Sequence, residues 1–231
     1  MLRGIDISSH QGDIDLAPLT IDFVIVKASE GTGYINSWCD PKVQQAKSLG
    51  LLWGFYHFAR ENNPVNEAAY FINNCRDYFT KGIPVLDWEG DQSVEWVNTF
   101  VRTVHDQTGI WPWIYANPWR FNQGGVEPNC ARWVAQYPNV IRPTLDYDPG
   151  EPPATDGLVA CWQYASDGNV PGYDGNLDVN HFFGDRAAWK KYAGDVYAGE
   201  QLSTLENSEY KVTIERKVNA RAAVLAERDE S

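Results

Sequence analysis

Basic residues are scarce in this sequence. It contains 19 Lys and Arg against 31 Asp and Glu, which gives a formal net charge of -12. No basic patch is longer than the one at Glu215-Arg216-Lys217, so none is suited to a phosphate backbone. We therefore expect no nucleic-acid partner. Recognition of an anionic membrane or wall would have to depend on short-range contacts rather than on charge.

Long apolar segments and clusters of metal ligands are also lacking. Met1–Asp6 leads directly into a strand-like stretch, without a charged n-region, an apolar h-region or a membrane span. We expect a chain made in the cytoplasm without a signal peptide and without membrane insertion. The four cysteines and four histidines show no metal-ligand spacing. We expect no metal and no cofactor. We also expect the cysteines to be free and mostly buried, with a single disulfide bond as the alternative.

What the sequence does contain is a series of short apolar segments that alternate with amphipathic ones. Apolar strand-like segments alternating with helices indicate a parallel sheet, and eight such strands indicate a barrel. The predicted strands are 3–7, 22–28, 51–58, 83–88, 113–116, 132–135, 159–164 and 177–179, and the predicted helices are 41–49, 64–79 and 94–106. Only loops separate the later strands. The predicted fold is an α/β, irregular (β/α)8-type parallel barrel in which several outer helices are short or missing in the second half.

The stretch Ile83–Gly90 carries the strongest chemical signal. An apolar strand ends in Asp87 and Glu89, which alternation places on one face, about 6.6 Å apart along the chain. Two neighbouring acids at the end of a buried strand raise the pKa of the less solvated one. Such a pair can hold one carboxylic acid protonated beside an ionised partner. The alternative is that these acids only cap the following helix.

Further acids and aromatic residues occupy the ends of other predicted strands. A parallel barrel carries its chemistry at the carboxyl ends of its strands. The acids found at these ends are Asp6, Glu30, Asp87 with Glu89, and Asp178, and the aromatic residues are Tyr56, Tyr115, Trp133, Trp162 and Tyr164. We expect the two groups to converge at one mouth of the barrel. Aromatic faces are suited to stacking on sugar rings.

Seven short motifs occur in order along residues 3–185. They are Gly4–Ser8 with His10–Gly12, Val26–Gly31, Gly54–Arg60, Leu86–Glu89, Trp133–Tyr137, Trp162–Tyr164 and Gly175–Asn180. In this order they resemble the glycoside hydrolase family 25 lysozymes. The resemblance implies a muramidase that cuts the β-1,4 bond between N-acetylmuramic acid and N-acetylglucosamine in bacterial peptidoglycan, without a metal or organic cofactor.

The resemblance also implies roles for individual residues. Glu89 would be the general acid and Asp87 its close partner, and Asp6 and Asp178 would complete the acidic cluster. The expected substrate-binding residues are Glu30, Tyr56, Tyr115, Trp133, Trp162 and Gln163. Three mechanisms stay open: direct attack by a carboxylate, activation of a water, or attack by the substrate's own N-acetyl group with Asp87 orienting it.

Two other functions compete with a muramidase. One is a chitinase-like endo-N-acetylglucosaminidase, although those families carry further acids upstream where this chain has Gly82 and Val85. The other is a non-catalytic glycan-binding module, which would be expected to have lost an acid. No acid is missing from the cluster, which favours an enzyme.

We predict two regions, a catalytic barrel over residues 1–190 and an acidic tail over residues 191–231. From Asp195 onward the tail has eight acids against five bases, a net charge of -3. The tail could be a linker to a wall-binding domain, an element that joins copies into a homo-oligomer, or a segment packed against the barrel. In a homo-oligomer, the alternating Tyr210, Val212 and Ile214 would form the contact between copies. A bacteriolytic enzyme without an export signal would fit a phage endolysin, which acts at the bacterial cell wall after phage-encoded release.

Overall fold

The computed structural model describes residues 1–195. The predicted tail motif at Tyr210–Ile214, and the homo-oligomer that would depend on it, lie outside the described residues and stay predictions. Within residues 1–195, no helix is long and apolar enough to cross a membrane. All four cysteines fall in this range and are buried and free.

Nine strands and five helices make up the described chain, with two short 3-10 turns at Ser9–Gln11 and Arg76–Tyr78. The strands are β1 Leu2–Ile7, β2 Phe23–Glu30, β3 Tyr34–Ile35, β4 Leu52–Phe58, β5 Ile83–Asp87, β6 Trp113–Ala116, β7 Arg132–Ala135, β8 Val159–Gly168 and β9 Leu177–Phe182. The helices are α1 Cys39–Ser48, α2 Pro64–Cys75, α3 Val94–Thr108, α4 Pro118–Phe121 and α5 Arg186–Ala193.

Eight of the strands close into a barrel, and β3 adds a short hairpin to β2. The order is β1-β9-β8-β7-β6-β5-β4-β2, closed by pairing of β1 with β2. The predicted irregular α/β barrel is confirmed, and so is the loss of helices in its second half: α4 has four residues, and residues 136–158 contain no helix.

The prediction that all eight strands are parallel is wrong for the last one. β9 runs antiparallel to both β8 and β1. Only residues 169–176 join β8 to β9, which is too short for the crossover of a dozen or more residues that a parallel strand requires. The chain therefore reverses directly, and the start of β9, rather than its end, lies at the same mouth as the ends of the parallel strands.

Alternation along each strand creates two apolar layers. Inward-facing side chains such as Ile25, Val85 and Trp113 fill the barrel. Outward-facing ones such as Val24 and Phe55 pack under the helices. Burying both faces explains why the strands read as continuous apolar runs rather than as alternating ones.

Helix α5 closes the end of the barrel opposite the mouth. Trp189 packs on Phe23, Trp113 and Phe182, with ring centroids 4.6, 5.5 and 5.2 Å away. The helix is capped by the Asp185 side chain and ends at Gly194, which has a φ of 79°. Since α5 continues to Ala193, the boundary predicted at residue 190 falls inside a helix that packs against the core.

Candidate active site

A cavity of about 190 Å³ opens at the mouth of the barrel. Residues from seven of the strands and from the loops that follow β5 and β7 line it. Most of the acids and aromatic residues predicted to converge do so, but in the described chain Glu30, Trp162 and Tyr164 do not line the cavity, and Tyr164 packs in the outer apolar layer instead. The lining residues are Asp6, Tyr56, Asp87, Glu89, Tyr115, Trp133, Tyr137, Gln163 and Asp178.

Asp87 and Glu89 share this cavity but differ in exposure. β5 ends at Asp87, which is 6% exposed, whereas Glu89 lies in the following loop and is exposed. Burial, followed by the negative charges of Glu89 and Asp6, raises the pKa of Asp87 well above its usual value. The Asp87 Oδ1 atom has no hydrogen-bond partner among residues 1–195, so it is free to accept a bond from a ligand.

The loop that carries Glu89 is fixed from two sides. Trp88 points into the outer apolar layer, where its Nε1 donates to the Gln92 carbonyl at 2.9 Å. Arg120 Nη2 donates to the Glu89 carbonyl at 2.6 Å, and its guanidinium lies 5.2 Å from the Trp88 ring. The Glu89 backbone is therefore held in place while its side chain remains free at the mouth.

Asp6 and Asp178 form a second carboxyl pair. They are directly opposite each other in the β1–β9 register, and their side chains hydrogen-bond. Burial raises the pKa of both, and the charge of Asp6 raises that of Asp178 further. Asp6 Oδ2 also accepts bonds from Asn180 at 2.7 Å and Gln163 at 2.9 Å. These bonds favour an ionised Asp6, so the shared proton resides on Asp178.

Gln163 connects the acids to the aromatic side of the cavity. Its Oε1 accepts hydrogen bonds from the hydroxyls of Tyr115 at 2.8 Å and Tyr137 at 2.6 Å, while its Nε2 donates to Asp6. With both ends of the amide occupied, its orientation is fixed. The side chain therefore sets the position of two phenols and one carboxylate at once.

Trp133 and Tyr56 complete the wall of the cavity. The Trp133 indole donates to Asn180 Oδ1 at 2.8 Å and meets the Tyr115 ring edge-on, with centroids 4.7 Å apart. Tyr56 is half-buried at the end of β4. Trp133 is 2% exposed and Tyr115 is 8% exposed, so these rings form the wall of the cavity while the surface open to a ligand is mostly polar.

Two of the predicted substrate-binding residues do not line the cavity in the described structure. Trp162 points outward because Cys161 and Gln163 on either side of it point inward, and its Nε1 donates to the Gln136 carbonyl. Glu30 instead pairs with Lys27 and Arg60. Burial alone would raise its pKa, but these partners hold the pKa of Glu30 below its usual value.

Sequence reasoning assigned no role to three residues that shape the site. Asn180 bonds Asp6 and Trp133, Tyr137 lines the cavity, and Arg120 holds the Glu89 backbone. Asn180 could have been found, since it lies two residues after Asp178 on the same strand face. Tyr137 lies in an irregular segment after β7, and Arg120 lies in the four-residue helix α4, which is too short for any periodicity to reveal the direction of its side chains.

Metal-ligand geometry is not found in the described range. Within residues 1–195, no three carboxyl, imidazole or thiol groups are arranged to hold a metal ion. The expectation that the chemistry needs no metal or cofactor stays a prediction. The site as built offers proton transfer by an exposed carboxyl beside three less exposed ones.

Residues 5–173 match the glycosyl hydrolases family 25. The autolytic lysozyme of Clostridium acetobutylicum is 28% identical over 191 residues, covering 78% of this chain and 56% of that protein. Lysozyme M1 of Streptomyces globisporus is 31% identical over 217 residues, covering 80% and 69%. The crystal structure of the bacterial lysozyme from Streptomyces coelicolor superposes with a TM-score of 0.70 at 26% identity, covering 84% and 97%. The chain thus spans little more than half the length of the Clostridium protein.

Proposed function

The chain belongs to the glycosyl hydrolases family 25, and from this premise we propose that it is a muramidase acting on bacterial peptidoglycan. The bond cleaved would be the β-1,4 bond from N-acetylmuramic acid to N-acetylglucosamine. The observation that carries the proposal is the cavity itself, where an exposed Glu89 faces Asp6, Asp87 and Asp178 across room for about one pyranose ring. The lysozyme names of the similar proteins support the same substrate.

Glu89 is the proposed general acid. Cleavage requires a proton on the leaving oxygen and stabilisation of an oxocarbenium-like transition state. Glu89 is the one carboxyl of the four that is exposed at the mouth, where the oxygen between two sugars would pass. Its backbone is held by Arg120, so its side chain can approach that oxygen without movement of the loop.

Asp87 is the proposed partner of the substrate's acetamido group. Its unpartnered Oδ1 can accept the N–H of that group and hold the acetamido oxygen at the anomeric carbon. As Glu89 protonates the leaving oxygen, the C–O bond breaks and the acetamido oxygen bonds to the same carbon. In the second step, Glu89 takes a proton from a water molecule whose oxygen bonds to the anomeric carbon, and the bond from the acetamido oxygen to that carbon breaks. This opens the ring that the acetamido group had formed and returns Glu89 to its acid form. This substrate-assisted route is one of the known exceptions to the scheme with two acting carboxylates.

The identity of the new reducing end tests this proposal. Purified peptidoglycan is digested, reduced with borohydride and analysed by mass spectrometry. A muramidase leaves reduced N-acetylmuramic acid at the new ends. Reduced N-acetylglucosamine would instead indicate the chitinase-like endo-N-acetylglucosaminidase. Binding to peptidoglycan without new reducing ends would indicate a glycan-binding module.

The biological setting is part of the proposal as well. We propose that the protein acts at the bacterial cell wall, because its substrate is found there. Synthesis without a signal peptide and phage-encoded release stay predictions, and so does the absence of nucleic-acid and membrane partners. Lysis of intact bacteria by protein added from outside, compared with lysis on expression inside the cell, distinguishes these settings.

A further inference from the structure

The outer face of β8 and β9 is covered by an irregular segment rather than by a helix. Residues 136–158 contain no helix, and the part over these two strands is residues 136–147, here called the cover segment. Its Leu145 is buried in the outer apolar layer, and Tyr147 packs against the same layer. The cover segment therefore depends on a few specific contacts with the strands beneath it.

Two side chains of β8 hold the backbone of the cover segment. Trp162 Nε1 donates to the Gln136 carbonyl at 2.7 Å. The Tyr164 hydroxyl donates to the Thr144 carbonyl at 3.2 Å. Neither donor changes its protonation near neutral pH, so these two contacts hold the segment equally in neutral and in mildly acidic solution.

A third side chain beneath the cover segment, His181, can take up a proton. It lies opposite Trp162 in the β8–β9 register, and its ring centroid is 4.7 Å from that of Tyr164. His181 is 2% exposed and hydrogen-bonds the Leu145 backbone. Its Nε2 atom has no hydrogen-bond partner among residues 1–195. A proton added there would create a buried charge without a partner, which is costly.

The charged groups around His181 do not compensate such a proton. Arg3 faces it in the β1–β9 register, and both Arg3 and the amino group of Met1 repel an added positive charge. Asp148 attracts that charge, whereas Asp146 is already paired with Arg3. Burial is the main influence and, together with Arg3, outweighs Asp148 and the hydrogen bond to the cover segment. The pKa of His181 therefore lies below its ordinary value.

We propose that His181 makes closure of the cover segment depend on pH: the segment stays closed over β8 and β9 while the imidazole is neutral, and is released when the imidazole takes up a proton in mildly acidic solution. Release brings the ring into water, where its charge is solvated. The cover segment also reaches the candidate active site, because Tyr137 belongs to it and donates to Gln163 in the wall of the cavity. Release therefore loosens one wall of that cavity.

The sign of the effect follows from the two protonation equilibria. In the released segment His181 has an ordinary pKa of about 6.5, whereas the closed segment lowers the pKa. The closed form is thus fully favoured above about pH 6.5 and loses stability as the pH falls toward the lower value. Within this window, the equilibrium constant for release rises by up to about tenfold for each pH unit.

Hydrogen exchange at individual backbone amides tests the proposal. Gln136 N–H donates to the Gln163 carbonyl and Asn169 N–H donates to the Pro143 carbonyl, so both amides are protected only while the cover segment is closed. Between about pH 7.5 and about pH 5.5, we expect their protection factors, corrected for intrinsic exchange, to fall about threefold to tenfold in the wild type. Protection of the Leu52 amide in β4, at the opposite end of the barrel, should not fall.

Two variants complete the design. His181→Gln keeps a donor toward Leu145 but cannot titrate, so protection at the two cover amides should change by less than about twofold over the same pH range. His105→Gln removes an imidazole from α3 and should behave as the wild type does. Each protein is compared with itself at two pH values, so a variant that loosens the cover segment at every pH still gives an answer.

Proton uptake by His181 is measured separately, by NMR titration of its imidazole signal, which the His181→Gln variant identifies. We expect the signal to titrate below its ordinary value. Equal protection of the cover amides at both pH values in the wild type, or an imidazole that titrates at or above about pH 6.5, overturns the proposal. Neither measurement uses glycan hydrolysis, so this result leaves the proposed function standing.

Discussion

Replacing Asp178 with asparagine should stabilise the protein near neutral pH while lowering its activity. Asp178 is half-buried, and its proton is shared with Asp6. Burial and the charge of Asp6 raise the pKa of Asp178 in the folded protein, while the unfolded chain keeps a value of about 3.9. Between these two values, the folded state binds a proton that the unfolded state releases.

The sign and the size of the effect follow from this difference. A raised pKa in the folded state means that stability is fully present below about pH 4 and declines as the pH rises toward the folded value. Each pH unit in this window costs about 1.4 kcal/mol. The amide introduced by Asp178→Asn would still donate a hydrogen bond to Asp6 but would not titrate. We expect equal stability of the two proteins at about pH 4 and an advantage of about 1–3 kcal/mol for the variant at about pH 7, allowing for water at the mouth.

Urea denaturation at several pH values between about 4 and 8 measures this effect. The difference in unfolding free energy between the variant and the wild type should grow with pH, while peptidoglycan hydrolysis by the variant falls. Such a trade-off is expected where function maintains like charges in close contact. Parallel stability curves for the two proteins across this range would refute the shared proton between Asp6 and Asp178.

Two further predictions concern the hydrogen-bond network and the chain end. Gln163→Met removes one hydrogen-bond partner from the buried Tyr115 hydroxyl and one from Asp6. The free energy of unfolding, measured by urea denaturation, should fall by about 2–4 kcal/mol. A fall of less than about 0.5 kcal/mol would show that the network does not depend on this amide. A chain ending after Asp195 should retain the wild-type Tm and activity, whereas one ending after Lys190 lacks Tyr192, which packs on Trp113, and should melt several degrees lower. Equal melting of both truncations would mean that the end of α5 contributes nothing to the barrel.

Much of the barrel could be predicted because its strands are buried on both faces. Continuous apolar runs such as 22–28 and 83–88 identify β2 and β5 within two residues of their observed bounds. The apolar pattern does not predict the direction of β9, because the direction of strand pairing depends on the length of the connection rather than on composition. Helix α2 was predicted to reach Phe79 but ends at Cys75, where the chain tightens into a 3-10 turn.

The site was predictable wherever a strand end determines the direction of a side chain. Asp6 and Asp87 point into the barrel by register, and strand alternation could have placed Trp162 outside. Glu30 is also at a strand end, but the nearby cations Lys27 and Arg60 hold it away from the cavity. The cover segment is held by side chains of β8 that are distant from it in sequence. No local pattern in the sequence encodes such contacts.

The rate of Glu89→Gln on purified peptidoglycan tests the central claim most directly. The change keeps the shape of the side chain and removes the proton that it would donate. We predict a loss of at least about a hundredfold in the release of reducing ends, with an unchanged Tm and unchanged binding to peptidoglycan. Glu95→Gln, which removes the same charge from an exposed position in the first turn of α3, should retain wild-type activity. A Glu89→Gln protein that hydrolyses peptidoglycan at near the wild-type rate would contradict the assignment of Glu89 as the general acid.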